Sequence, residues 1–270
     1  MTTRRSVHIG LNGIDAAIYG DPGTLYGCEA DARAMQAVAE QRGFTPTMVL
    51  TTGATIGAVT AALRTASEGL GVDDYLFVTY SGHGSQVKDD PVAPDEDDAY
   101  DETWCLYDGQ LIDDELYAVF RALPAGVRVL VLSDSCHSGS VTKALPFDRP
   151  AASGGRWLPR QVAQAEFEAN REAYVARLAE AGPEAGATSA AVVLISGCQD
   201  NQTSQDGAEN GVFTAAFLAV WANGTFDRTT NDLVAEVRQV IANQGAAQVP
   251  NLFSYGGATE SILLQTPLAD

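Results

Sequence analysis

Apolar and polar positions follow two different periods along this chain. Continuous apolar runs mark strands buried on both faces. They occur at Thr47-Met48-Val49-Leu50, Tyr75-Leu76-Phe77-Val78-Thr79, Val127-Arg128-Val129-Leu130-Val131-Leu132 and Ala190-Ala191-Val192-Val193-Leu194-Ile195-Ser196, with a first strand over 5–11 and a last, short one near Asn251-Leu252-Phe253-Ser254. Between them, helical spacing predicts helices over 28–42, 54–68, 113–122, 210–222 and 230–243, and Gly43 suits the stop of the first. Strands that alternate with helices predict an α/β fold with a mostly parallel sheet.

Two stretches break the pattern. Residues 89–102 are loop-like and acidic, with Asp89, Asp90, Asp95, Glu96, Asp97, Asp98, Asp101 and Glu102. Residues 146–189 lack strand pattern and are rich in Ala, Glu, Arg and Gly. Part of that stretch, roughly 158–180, is helical but weakly amphipathic, and it is expected to be an exposed linker or insertion. The chain therefore divides into 1–145, a linker at 146–189, and 190–270, all within one domain.

Composition narrows the class. With 270 residues and 46% apolar content, a full core can be buried. No run approaches the roughly 18 apolar residues of a membrane span. Met1-Thr2-Thr3-Arg4-Arg5 leads straight into the first strand without a signal-peptide pattern, so cytoplasmic residence is the expectation. A net charge of −19 speaks against nucleic acid and anionic membranes as partners. It suits cationic substrates, divalent cations or plain solubility. The four cysteines, Cys28, Cys105, Cys136 and Cys198, form no CxxC pair, which disfavours a zinc site or disulfide framework. Three are expected to be buried as small hydrophobes.

The chemistry concentrates at two strand ends. Tyr80-Ser81-Gly82-His83-Gly84 follows one apolar run and Ser133-Asp134-Ser135-Cys136-His137-Ser138-Gly139 follows another. His83 and Cys136 thus fall at carboxyl ends of strands, the edge where open α/β sheets place their sites. An imidazole beside a thiol can take its proton and release a nucleophilic thiolate. Gly82 and Gly84 permit a sharp turn and close substrate approach. The backbone N–H groups of Gly84 and Cys136 are candidate oxyanion donors. His137 follows Cys136 directly, so its side chain points away on an extended segment. His8 lies within the first strand, where a core role is expected. Neither a GxSxG elbow nor a phosphate-binding glycine motif is present.

At these residues the chain resembles the metacaspase family, in particular its bacterial members, the orthocaspases. Leu194-Ile195-Ser196-Gly197-Cys198-Gln199-Asp200-Asn201-Gln202 and Gly211-Val212-Phe213-Thr214 extend the resemblance into the small-subunit-like region, 190–270, beside a large-subunit-like 1–145. The resemblance implies a caspase-like sandwich, a six-stranded, mostly parallel sheet between helices. It implies a Cys136–His83 dyad that cleaves after Arg or Lys, and an acidic pocket formed by Cys28, Asp31, Ser81 and Asp134. It also raises calcium as an activator, with Asp98, Asp113 and Asp114 as ligands. A further acidic ligand of the family is missing, because Val141-Thr142-Lys143-Ala144 occupies that stretch.

The expected activity is a cysteine endopeptidase acting on proteins or peptides with Arg or Lys before the scissile bond. No organic cofactor is needed, and a monomer is expected. Such an enzyme could cut its own linker, where Arg149, Arg156, Arg160, Arg171 and Arg177 are the candidates. The alternative is a catalytically weak caspase-like scaffold that only binds.

Overall fold

The computed structural model describes residues 2–88, 100–135, 155–182, 188–198, 204–207 and 209–269. The first half contains strands β1 (Arg4–Gly10), β2 (Thr45–Leu50), β3 (Tyr75–Ser81), β4 (Gly84–Lys88), β5 (Tyr100–Leu106), β6 (Gly109–Ile112) and β7 (Arg128–Asp134), and helices α1 (Ala16–Tyr19), α2 (Cys28–Gln41), α3 (Ile56–Ser67) and α4 (Asp113–Arg121). The second half contains α5 (Arg160–Ala169), α6 (Arg171–Ala181), β8 (Ala191–Ser196), α7 (Val212–Trp221), α8 (Thr230–Asn243), β9 (Asn251–Gly256) and α9 (Glu260–Leu263).

Six strands form the central sheet in the order β2-β1-β3-β7-β8-β9. The first five run parallel and β9 closes one edge antiparallel. Alternate residues of one strand serve two cores. Leu76 and Val78 pack with Leu63 of α3, Phe120 of α4 and Phe167 of α5. Tyr75 and Phe77 pack with Val38 of α2, Phe217 of α7 and Val237 of α8. Coverage on both faces explains why the central strands are uninterrupted apolar runs.

A second sheet, β4-β5-β6, is antiparallel. No strand is expected there from the sequence, and 100–102 is part of the predicted acidic loop; it instead opens β5. The reason is polarity. β4 reads Gly84-Ser85-Gln86-Val87-Lys88, and its Ser85 and Gln86 side chains are buried with hydrogen-bond partners from other segments. Gln86 donates to Glu102 at 2.8 Å, Thr103 to Gln110 at 2.8 Å, and Ser85 to the Leu158 carbonyl at 2.9 Å.

The segment expected to be an exposed linker packs one face of α5 and Tyr174 of α6 into the core, while residues 168–173 are exposed. Phe167 and Tyr174 are buried with ring centroids 4.8 Å apart. Glu166 is buried as well, accepting from Tyr174 at 2.6 Å and Gln110 at 2.7 Å. A carboxylate on the buried face, beside only a few large apolar anchors, is what weakens the helical apolar pattern.

His8 is a satisfied core residue. Its ring nitrogens lie 2.9 Å from Thr79 and 2.9 Å from Ser6, and burial pushes its pKa down to about 3. The described cysteines Cys28, Cys105 and Cys198 are free and buried. At the end of β1, Gly10 lets α2 approach closely: a Cβ there would stand 2.4 Å from the Cys28 carbonyl oxygen and 2.9 Å from Cβ of Ala32.

Two outcomes follow. Gly10→Ala forces α2 off the sheet and lowers stability by about 1–3 kcal/mol, the usual cost of overpacking, read as a lower urea midpoint at unchanged slope. His8 binds a proton in the unfolded chain near pH 6.5 but in the folded chain only near 3. Stability therefore falls as pH drops from 6.5 toward 3 and is flat in this respect above 6.5. His8→Asn removes up to about 1.4 kcal/mol per pH unit from that slope, checked by denaturation across the same range.

Candidate active site

β3 and β7 are neighbours whose pairing ends at Ser81 opposite Asp134. His83 and Cys136 each stand two residues further along the chain. Cys136 lies outside the described residues; the run described ends at Ser135, which is buried. Trp104 donates to Ser133 at 3.1 Å, and the Ser133 and Ser135 hydroxyls lie 2.9 Å apart, which ties this strand end to β5.

The turn carrying His83 is held from below. Tyr80 stacks on Trp104 at 4.5 Å, and its hydroxyl donates to the carbonyls of His83 at 2.6 Å and Cys105 at 3.0 Å. Gly82 makes this possible, because a Cβ there would lie 2.6 Å from the Tyr80 hydroxyl. The His83 ring is 1% exposed. Its Nε2 faces the Gly23 carbonyl at a long 3.4 Å, and its Nδ1 is buried without a hydrogen-bond partner among the described residues. With Nε2 donating to a carbonyl, Nδ1 carries the free lone pair. Burial pushes the His83 pKa down to about 4; the Gly23 carbonyl opposes this and the Arg156 charge adds to it. The ring is thus a neutral base at pH 7.

Beside it lies a buried charge cluster centred on Arg156, which is 0% exposed. One guanidinium nitrogen, Nη1, pairs with Asp134 at 2.9 Å and donates to Ser81 at 2.8 Å. The other, Nη2, pairs with Asp31 at 2.6 Å and with Asp206 at 2.9 Å. Each carboxylate has further donors. Asp31 accepts from Ser81, Asn210 and the Gly211 backbone. Asp134 accepts from Ser204 and from both the backbone and the hydroxyl of Thr214. Asp206 accepts from the Tyr26 and Gly27 backbones. Burial pushes the Asp31 carboxyl pKa up, and the Arg156 charge pulls it back. Arg156 itself is held well above its ordinary value by Asp134, Cys28 and Asp31, against its own desolvation.

The structure thus gathers Asp31, Ser81 and Asp134 around one cation. Cys28 lies at the same place at the start of α2; burial raises its thiol to about 12, so it is a wall and not a nucleophile. The Gly84 backbone N–H donates to the Arg156 carbonyl at 3.1 Å.

The remaining candidates scatter. Asp113 and Asp114 open α4. Asp98 lies outside the described residues, as does Arg149. No group of three or more potential metal ligands stands together among the described residues. Arg160 begins α5 with its guanidinium over the Tyr100 ring at 4.4 Å, and Arg171 begins α6. Arg177 lies within α6 and pairs with Glu115 at 2.9 Å.

Two site residues, Asp206 and Gln248, escape a reading of the sequence, and a third, Gly211, has a role there that its motif does not announce. Asp206 sits in the polar run Ser204-Gln205-Asp206, with no spacing that ties it to Asp31 or Asp134. Gly211 leaves room for the cation: its Cβ would lie 2.5 Å from the Arg156 guanidinium carbon. Gln248 fastens the 204–206 run by accepting from the Gln205 backbone at 3.0 Å and donating to the Gly197 carbonyl at 2.9 Å. Only the glycine before Val212-Phe213-Thr214 carried any sequence signal.

Comparison with known proteins agrees with this architecture. A sequence model of the caspase domain matches residues 14–256. Metacaspase-1 of Mycosarcoma maydis is 32% identical, over 93% of this chain and 70% of its own length. Metacaspase-2 of Trypanosoma brucei brucei is 28% identical over 93% and 72%. Metacaspase-1 of Arabidopsis thaliana is 33% identical over 68% of this chain, which spans only 48% of that relative. Among solved structures, protein GSU0716 from Geobacter sulfurreducens superposes with a TM-score of 0.86 at 42% identity, covering 99% of this chain and 98% of that one. Caspase-1 from Spodoptera frugiperda shares the fold, with a TM-score of 0.58 at 13% identity over 100% and 90%. With a caspase-domain match over most of its length, metacaspases as relatives and a caspase-like six-stranded sheet, the chain belongs to the metacaspase family of caspase-like cysteine peptidases.

Proposed function

We propose that this protein is a cysteine endopeptidase that cleaves after Arg, and less readily after Lys, and that it also cuts itself within 149–177. The observation that carries the reading is the buried guanidinium bound by Asp31, Asp134 and Asp206. A pocket that draws three carboxylates out of water demands a cation, since an uncompensated buried charge is strongly unfavourable. It repels an acidic side chain. Its acceptors reach both ends of a planar fork, which suits Arg better than the compact ammonium of Lys.

The reaction uses the chain's own groups. His83, neutral at pH 7, accepts the Cys136 proton at Nδ1. The thiolate attacks the carbonyl carbon of the basic residue, and the Gly84 N–H holds the developing oxyanion. The C–N bond then breaks as His83 returns the proton to the leaving amine. Water cleaves the thioester and restores the thiol. The proposal needs no organic cofactor. For calcium, Asp113 and Asp114 supply two carboxylates among the described residues, fewer than the several oxygen ligands the ion takes.

Matched fluorogenic peptides ending in Arg, Lys or Asp test the reading, with and without calcium. The expected order of kcat/KM is Arg, then Lys about tenfold or more lower, as for loss of one charge-assisted hydrogen bond, with Asp silent. Cys136→Ala abolishes all cleavage. Equal hydrolysis of Arg and Asp peptides would contradict the pocket. Asp206→Asn lowers kcat/KM for Arg peptides by about 10–100-fold; an unchanged value removes Asp206 from specificity. The acid limb of kcat/KM falls below pH 6.5, because His83 resists protonation until nearer 4. A limb at or above 6.5 would mean that the working base is not this buried ring.

A further inference from the structure

The cation in the pocket belongs to the chain itself, and its backbone is as telling as its side chain. Gly155 bridges antiparallel to Gln205. The Arg156 N–H donates to the Ser204 carbonyl at 3.0 Å, and the Arg156 carbonyl accepts from Gly84 at 3.1 Å. Beyond it, Trp157 bridges parallel to Gly84, the Leu158 N–H donates to the Gly84 carbonyl at 3.0 Å, and Ser85 donates to the Leu158 carbonyl at 2.9 Å. An extended strand added to a free backbone edge, with side chains read by pockets, is how peptides bind in β-augmentation.

We infer that residues 155–158 are bound in cis as a substrate, and that Arg156–Trp157 is the first peptide bond this enzyme cleaves. The inference rests on the proposed activity and assigns that activity its first substrate. Arg156 fills the basic-residue pocket, and its carbonyl oxygen already occupies the Gly84 donor assigned to the oxyanion. Gly155 precedes it, Trp157 supplies the leaving amine, and Leu158 is buried on the far side of the bond. The other described linker arginines lack this presentation. Arg160 and Arg171 begin helices and Arg177 lies inside one, so none offers an extended backbone on both sides of its carbonyl.

The bonds balance as in ordinary peptide hydrolysis. The Cys136 sulfur, its proton on His83, bonds to the Arg156 carbonyl carbon. The carbon–nitrogen bond to Trp157 breaks, and the His83 proton makes the Trp157 nitrogen a free amine. One water then splits the thioester into the Arg156 carboxylate and the Cys136 thiol. Until the bond breaks, the docked guanidinium excludes other basic side chains, so peptide hydrolysis begins with a lag.

The test follows the full chain by intact mass and N-terminal sequencing while an Arg peptide reports activity in the same tube. A new terminus Trp157-Leu158-Pro159 is expected first, with a half-time unchanged over a 100-fold range of enzyme concentration. The lag should end as this fragment appears. Cys136→Ala stays whole. Arg156→Lys, which keeps the buried charge, is cut at the same bond, and Arg156→Gln yields no Trp157 terminus. A first cut after Arg149, Arg160, Arg171 or Arg177, or a half-time that shortens with concentration, overturns the inference. Full peptide hydrolysis with the 156–157 bond intact also overturns it while sparing the proposed activity. Silence toward every peptide together with an uncut chain removes both.

Discussion

Three carboxylates and one guanidinium share a space from which water is excluded, and the arrangement of the site follows from that constraint. Desolvating Asp31, Asp134 and Asp206 together is unfavourable unless a cation stands between them. The protein reduces the cost in two ways. Each carboxylate receives backbone or hydroxyl donors: Gly211 and Thr214, both at the start of α7, serve Asp31 and Asp134, and Gly27 before α2 serves Asp206. The guanidinium then closes the circuit. The cluster joins β3, β7, α2, the 204–206 run and the start of α7, so elements distant in sequence meet at one charge. With Arg156 in place the circuit is complete; without it, the same donors and acceptors define what must enter.

Close backbone approach is the second requirement. Gly211 keeps the wall of the pocket flat enough for a planar cation, and Gly82 lets Tyr80 fold beneath the histidine turn. Tyr80 is buried against Trp104, which in turn bonds Ser133. A rigid aromatic pair therefore spans the two strand ends that His83 and Cys136 follow in the sequence. The burial that orders His83 also keeps its ring neutral, so packing and base strength have one cause.

The central sheet was legible because its strands are apolar on both faces, and the helices between them announce their period. The runs at 75–79 and 127–132 became β3 and β7, adjacent and in register. The second sheet was not legible, because Ser85, Gln86, Thr103 and Gln110 are buried through hydrogen bonds that no hydropathy pattern records. α5 and α6 looked exposed for a related reason, a buried Glu166 satisfied by Tyr174 and Gln110. In the site, Asp31, Ser81 and Asp134 carried a motif signal and meet in space. Asp206 carried none, since it reaches the pocket from a loop whose path only the tertiary structure shows. Arg156 stood out from the other linker arginines only once its surroundings were visible.

The most direct test of this account is a double-mutant cycle in the Cys136→Ala chain, where no bond can be cut. Urea unfolding would compare that chain with versions carrying Arg156→Met, Asp134→Asn, and both. Partners that neutralise one another in a buried site should couple by about 2 kcal/mol or more, within the range for contacting residues in one network. The double variant would then be far more stable than the two single losses predict. Additivity within about 0.5 kcal/mol would mean that Arg156 and the acidic pocket do not sustain one another, and the account would fail.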